Sequence, residues 1–185
     1  MTNTNTFLKA FSSEQYKLSK NKEIFGILLV PVLIIFAVDL YMVYDVLRSG
    51  IEESEGTINP WKPSFGKIVF MFFYLLFPIL VSLFVHACCD VEYRNNNYKI
   101  LFTLPVSKTK IFFSKAILIQ ITVFFSVLFS YLALLLSGYL LSIAFPQLGF
   151  QNYDFREVIF YVFVKFFITL SAIAMVQLTL SLLFK

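Results

Sequence analysis

Residues 111–145 read IFFSKAILIQITVFFSVLFSYLALLLSGYLLSIAF, an apolar run interrupted by one charge, Lys115. A helix needs about 20 such residues to cross a hydrocarbon layer of roughly 30 Å, so this stretch crosses with length to spare. Working outward, three more runs are long enough: Ile24 to Val46, Lys67 to Cys89 and Val158 to Phe184. Inside lipid every backbone N–H and C=O must be satisfied within its own segment, which selects helices. The predicted fold is therefore all-α, a polytopic transmembrane helical protein. It forms one domain over 1–185, with spans at 24–46, 67–89, 111–145 and 158–184, a polar arm at 1–23 and a polar connection at 90–110. The excess length of the third span predicts either a start that projects into the cytoplasm or a break near Gly138. Pro31 and Pro78 each remove a ladder hydrogen bond and predict kinks in spans one and two.

Composition points the same way independently. With 59% apolar residues, 24 Phe and a mean hydropathy of +0.80, the chain is matched to lipid rather than water. The first apolar run is too long for the core of a signal peptide and no small-residue cleavage site follows it, so it is expected to be an uncleaved anchor.

Lys and Arg set the orientation. Lys9, Lys17, Lys20 and Lys22 lie in the arm, and Arg94, Lys99, Lys108, Lys110 and Lys115 lie in the second connection and the entry of span three. These segments are expected in the cytoplasm, with the N-terminus inside a cell (inner) membrane crossed several times. The first connection balances Arg48 and Lys62, with Lys67 at its edge, against Glu52, Glu53 and Glu55, and the third balances Arg156 against Asp154 and Glu157. Both are expected outside. Topology thus accounts for the net charge of +4, and nucleic acid is not an expected partner. Cys88 and Cys89 are adjacent, a poor geometry for a disulfide, and with His86 as the only histidine they do not complete a metal site. No metal or cofactor is expected.

In the arm, Phe7, Leu8, Phe11 and Leu18 recur near helical spacing, while Lys9, Glu14, Lys17 and Lys20 take other faces. This pattern is that of an amphipathic helix lying on a membrane surface, with anionic lipid headgroups as partners. The alternative is a disordered basic tail that serves as a topology signal. In the second connection, Tyr98, Leu101, Phe102 and Pro105 follow an i, i+3, i+4, i+7 pattern in a segment that is otherwise polar, so a covering partner is expected on that face. Pro105 biases Leu104 away from the helical region and stops a short helix there. Ser107 is then placed to cap the helix that runs through Lys108 and Lys115 into span three.

Asp39 and Lys165 lie at matching depths, each about seven residues or roughly 10 Å from the outer end of its span. An ion pair would offset a burial cost of about 2.5–3.5 kcal/mol for either charge. The alternative is that both reach the interface beside Tyr41 and Tyr44. Gln120 and Gln177 match in depth from the other side, and their amides are expected to bond between spans three and four. Ser126, Ser130, Ser137, Gly138 and Ser142 give span three a series of small residues suited to close helix approach.

The second connection resembles that of the membrane subunits of ABC exporters, the type-2 permease family. In that family a Glu, then a Gly-Thr pair, an apolar run, a Leu-Pro-aliphatic-Ser-basic run and a Lys ten residues past the Pro stand between spans two and three. Glu92, Leu104, Pro105, Val106, Ser107, Lys108 and Lys115 occupy matching positions, with Asn96 and Asn97 where Gly-Thr often stands. The resemblance implies a coupling helix that docks on an ATP-binding ABC subunit, with Glu92, Tyr98, Leu101, Phe102, Pro105, Ser107, Lys108 and Lys115 as partner-binding residues. It also likens the basic arm, with Glu14 and Lys17, to an interfacial elbow helix. The family usually has six spans where four are read here, so the sequence is either a piece of a longer permease or a reduced one completed by other chains.

No P-loop is present, since Trp61 stands where a phosphate-cradling glycine is needed ahead of Gly66 and Lys67. The chain is thus expected not to be an enzyme, with ATP hydrolysis confined to a partner. Glu52, Glu53, His86 and Asp90 do not make a protease site, because the glutamates and the histidine are expected on opposite sides of the membrane. The expected function is that of an exporter permease subunit for a hydrophobic or peptide substrate, paired with a second permease subunit. A non-transporting four-span scaffold or immunity-type protein is the alternative.

Overall fold

The computed structural model describes residues 3–20, 22–49, 66, 73–93, 107–146 and 150–183. The described elements are helical: α1 (Asn3–Lys20), α2 (Lys22–Ser49), α3 (Phe77–Tyr93), α4 (Lys108–Ala144), a 3₁₀ turn (Phe150–Asn152) and α5 (Arg156–Leu183). Among the described residues three helices are long and apolar enough to cross a membrane, over Phe73–Asp90, Thr109–Ala144 and Arg156–Leu183. In α2 the apolar stretch Leu29–Tyr41 is shorter, although the helix itself has 28 residues and is about 42 Å long.

The arm is helical, as its periodicity predicts. Its inner face is set by Phe7, Phe11, Glu14 and Leu18 at i, i+4, i+7 and i+11, while Leu8 is exposed. Glu14 was expected among the polar faces but is buried, at 6% exposure. Lys17 and Lys20 occupy the last turn, where cations favour the negative end of the helix dipole.

At 37 residues, α4 runs unbroken through Gly138 for about 55 Å, well beyond the thickness of a hydrocarbon layer. The extra length therefore projects, and no break is needed. Ser107 takes the N-cap position with extended φ and ψ of −66° and 137° but makes no side-chain cap bond. Its carbonyl instead accepts from the amides of Lys110 at 3.0 Å and Ile111 at 3.4 Å. The prolines act differently from one another. Pro31 is buried inside a continuous α2, whereas a π-turn over residues 73–76 immediately precedes α3 and its Pro78. In a regular α register the Pro78 ring would collide with the Tyr74 carbonyl, and the wider turn relieves this.

Packing centres on α5, whose buried ridge is Ile159, Phe163, Phe166, Leu170, Ala174 and Leu178. Lipid tails are as apolar as these side chains, so close packing and polar contacts rather than exclusion of water hold the helices together. Phe73, in the π-turn, meets Phe163 edge to face and Phe166 at a tilt, both at 4.8 Å between ring centroids, and joins the approach to α3 to α5. Phe124 against Phe167 at 5.5 Å, and Tyr131 against Phe163 at 5.4 Å, join α4 to α5. Ser126, Ser130, Ser137, Gly138 and Ser142 are all buried along α4. Three of these hydroxyls bond back into their own helix: Ser130 to the Ser126 carbonyl at 2.8 Å, Ser137 to Leu134 at 2.9 Å and Ser142 to Tyr139 at 2.7 Å. These three small side chains are buried with their hydroxyls satisfied, whereas the buried Oγ atoms of Ser114 on α4 and Ser171 on α5 have no hydrogen-bond partner.

Candidate functional site

Three helices meet where α3 ends and α4 begins. Lys115, in the second turn of α4, is 3% exposed. Its Nζ donates to the Cys88 carbonyl of α3 at 3.2 Å and stands 3.7 Å from Glu14 Oε2 of α1. Oε1 of Glu14 accepts from Lys17. Leu18, Leu118 and Ile119 close around the cluster and leave a space of about 10 Å³, room for roughly one water molecule. Glu14 and Lys115 therefore form a nearly dry ionic clamp that fixes α1 against both helices flanking the second connection. Charges so placed interact strongly, and removing one partner of such a pair typically costs about 3–5 kcal/mol.

The clamp revises the role expected of Lys115. The resemblance implies a Lys115 that faces a partner, yet it lies beneath α1 and is engaged within the chain. Tyr98, Leu101, Phe102 and Pro105 lie outside the described residues. Glu92 is in the last turn of α3, Ser107 is at the head of α4 and Lys108 is its first residue. The backbone thus brings Glu92 and Lys108 to the two ends of the undescribed segment 94–106.

The structure does not bring Asp39 and Lys165 together. Asp39 is buried on α2 with its carboxylate against the Ser137 hydroxyl of α4, and its Oδ2 has no hydrogen-bond partner. Lys165 is exposed on α5, its Nζ 4.3 Å from the centroid of the Tyr161 ring. The pairing expected from depth is therefore replaced by separate contacts, because α2 packs chiefly on α4 and α3 and the Lys165 face of α5 is turned away from its helix neighbours. With one carboxylate oxygen lacking a bond, Asp39→Asn is expected to preserve or raise thermal stability in detergent. A large fall in the melting temperature would show that the charge is needed.

Gln120 does link α4 to α5, but through the Ser171 carbonyl, to which its Nε2 donates at 3.1 Å. Gln177 is half-buried on α5 and is not its partner. Gln120→Leu is expected to cost about 0.6–2 kcal/mol in a denaturation series in detergent, the range for one polar contact between helices in a membrane. Cys88 and Cys89 are buried and form no disulfide, and Cys88 lends the clamp its carbonyl.

A sequence profile described as ABC-2 family transporter protein matches residues 10–185. No curated protein and no solved structure matches the chain. The match takes in residues 10–20 of α1, all the apolar helices and the second connection, so it covers both the clamp and the segment that carries the permease resemblance. The chain belongs to the ABC-2 transporter family, as a membrane component of an ABC transporter.

Proposed function

We propose that the chain is the permease subunit of an ABC-type exporter, driven by a separate ATP-binding subunit and working beside a second permease subunit to export a hydrophobic or peptide substrate. The observation that carries this reading is the Glu14–Lys115 clamp. Cys88 and Lys115 lie within about two helical turns of the ends of α3 and α4, so a load on the connection between them is borne by both helices and by α1 as one body. A rigid base of this kind is what a membrane subunit needs to convert closure of an ATPase pair into movement of its spans. In this reading Glu92, Tyr98, Leu101, Phe102, Pro105, Ser107 and Lys108 form the docking surface, and Lys115 anchors it from behind. The helix Lys22–Ser49 makes the fourth crossing, and the basic arm and second connection face the cytoplasm at the inner membrane.

Co-purification tests the docking surface. Glu92→Lys, or Tyr98→Ala with Leu101→Ala, is expected to reduce recovery of the ATP-binding subunit at least about tenfold, the scale for removing a key polar or aromatic contact. Unchanged recovery with both variants would overturn the proposal and leave a non-transporting membrane scaffold.

A further inference from the structure

At the end of the bundle away from the clamp, about 24–40 Å along α4 from Lys115, the last turns of α4, the 3₁₀ turn and the head of α5 line a half-open cavity of about 760 Å³. Its volume is that of a small-molecule site. Tyr131, Tyr139 and Tyr153 supply aromatic walls, and Asp154, Arg156 and Gln151 supply polar groups.

The lining is held in place. Tyr131 packs edge-on against Phe163 at 5.4 Å and Phe160 at 6.1 Å, which fixes its ring. Gln151 reaches the Ser142 carbonyl at 3.5 Å and ties the 3₁₀ turn to α4. Asp154 Oδ1 accepts from the Arg156 amide at 3.1 Å, an Asx turn that sets the carboxylate at the start of α5. Asp154 and Arg156 line the same cavity with opposite charges, yet no ion pair joins their side chains. A site lined by one charge of each sign and by three tyrosines suits a ligand that carries both a cation and an anion. An ammonium is attracted both to a carboxylate and to aromatic ring faces, and a guanidinium to a phosphate or carboxylate.

We propose that this cavity binds a zwitterionic amphiphile, with its ammonium at Asp154 among the tyrosines, its phosphate or carboxylate at Arg156, and its apolar stem along the exposed faces of α4 and α5. A phospholipid headgroup and an exported peptide with free termini share this chemistry. The inference needs only the cavity, so its failure would leave the permease reading intact.

The test is native mass spectrometry of the full chain in detergent, titrated with short-chain phosphatidylethanolamine and with phosphatidylglycerol, which carries the anion without the ammonium. The ethanolamine lipid is expected to bind about tenfold more tightly, the scale of one charge-assisted hydrogen bond. Asp154→Asn keeps the Asx turn while removing the charge, and is expected to abolish that preference. Arg156→Gln is expected to weaken both lipids about tenfold. Both positions are exposed, and equal melting temperatures without lipid will show that the variants are folded. Competition by a dipeptide with free termini would point to a peptide source, and its absence to a lipid one. Equal binding of the two lipids by the unaltered chain, or an ethanolamine preference that survives Asp154→Asn, would overturn the proposal.

Discussion

Glu14→Leu is expected to lower the unfolding free energy of the detergent-solubilised chain by about 3–5 kcal/mol, because it removes a carboxylate that faces the buried Lys115 ammonium. Lys115→Met is expected to cost less, since Glu14 keeps Lys17, whose side chain is one-third exposed and able to draw on solvent. Combining the two substitutions removes both charges and puts apolar side chains into a cluster already walled by Leu18, Leu118 and Ile119. That double variant should recover most of the lost stability, because replacing a whole buried pair by apolar groups is often neutral or favourable. The reversed pair, Glu14→Lys with Lys115→Glu, should not recover it. Lys115 also donates to the Cys88 carbonyl, and a carboxylate in that place would face an oxygen it cannot bond. Chemical denaturation of the four variants is sufficient to test this order. Rescue by the reversed pair would show that net charge alone holds α1 in place, and failure of the apolar pair would show that the ions do more than satisfy each other.

The clamp also shows what the sequence could convey and where it stopped. Long apolar runs declare helices because length and composition are intrinsic to each segment, and α4 and α5 lie where their runs predict. The start of α4 was legible too, since Pro105 and Ser107 mark it through backbone chemistry. Partnership between segments was harder to read. Asp39 and Lys165 match in depth, but a sequence gives depth without azimuth, and the two side chains lie on helix faces that do not meet. Gln120 found the expected helix through a backbone carbonyl, and a carbonyl acceptor leaves no mark on the sequence. A signal for the clamp did exist. Glu14 falls on the Phe7, Phe11 and Leu18 face of the arm, and Lys115 lies between Phe112, Phe113, Ala116 and Ile117. An acid on an apolar face and a lysine within an apolar run each need a partner, and the expected role of Lys115 at the docking surface hid their match.

Phe73→Ala is expected to be about as damaging as loss of Glu14, near 3–5 kcal/mol, the range for deleting a buried phenyl ring. Phe73 has no exposed surface, and its ring contacts Phe77 at 5.4 Å as well as Phe163 and Phe166 at 4.8 Å, so one truncation empties the α3–α5 contact at its aromatic centre. Lipid cannot fill the void from outside, because Phe77, Phe163 and Phe166 that surround it are themselves buried. Part of the cost belongs to ring geometry as distinct from volume. Phe73 meets Phe163 edge to face at 73°, an arrangement worth about 0.5–1.5 kcal/mol beyond the area buried. A double-mutant cycle of Phe73→Leu and Phe163→Leu isolates that share, since leucine keeps much of the volume and discards the ring. A coupling energy in that range is expected. Coupling near zero, with large single effects, would mean that the rings fill space without recognising each other. The position of Phe73 in the π-turn ahead of Pro78 adds a second readout. Pro78→Ala permits a regular turn, which would rotate the residues before it by about 100° relative to α3 and carry Phe73 away from α5. If the π-turn exists to aim this ring, Pro78→Ala should be destabilising in the native chain and nearly silent when Phe73 is already alanine.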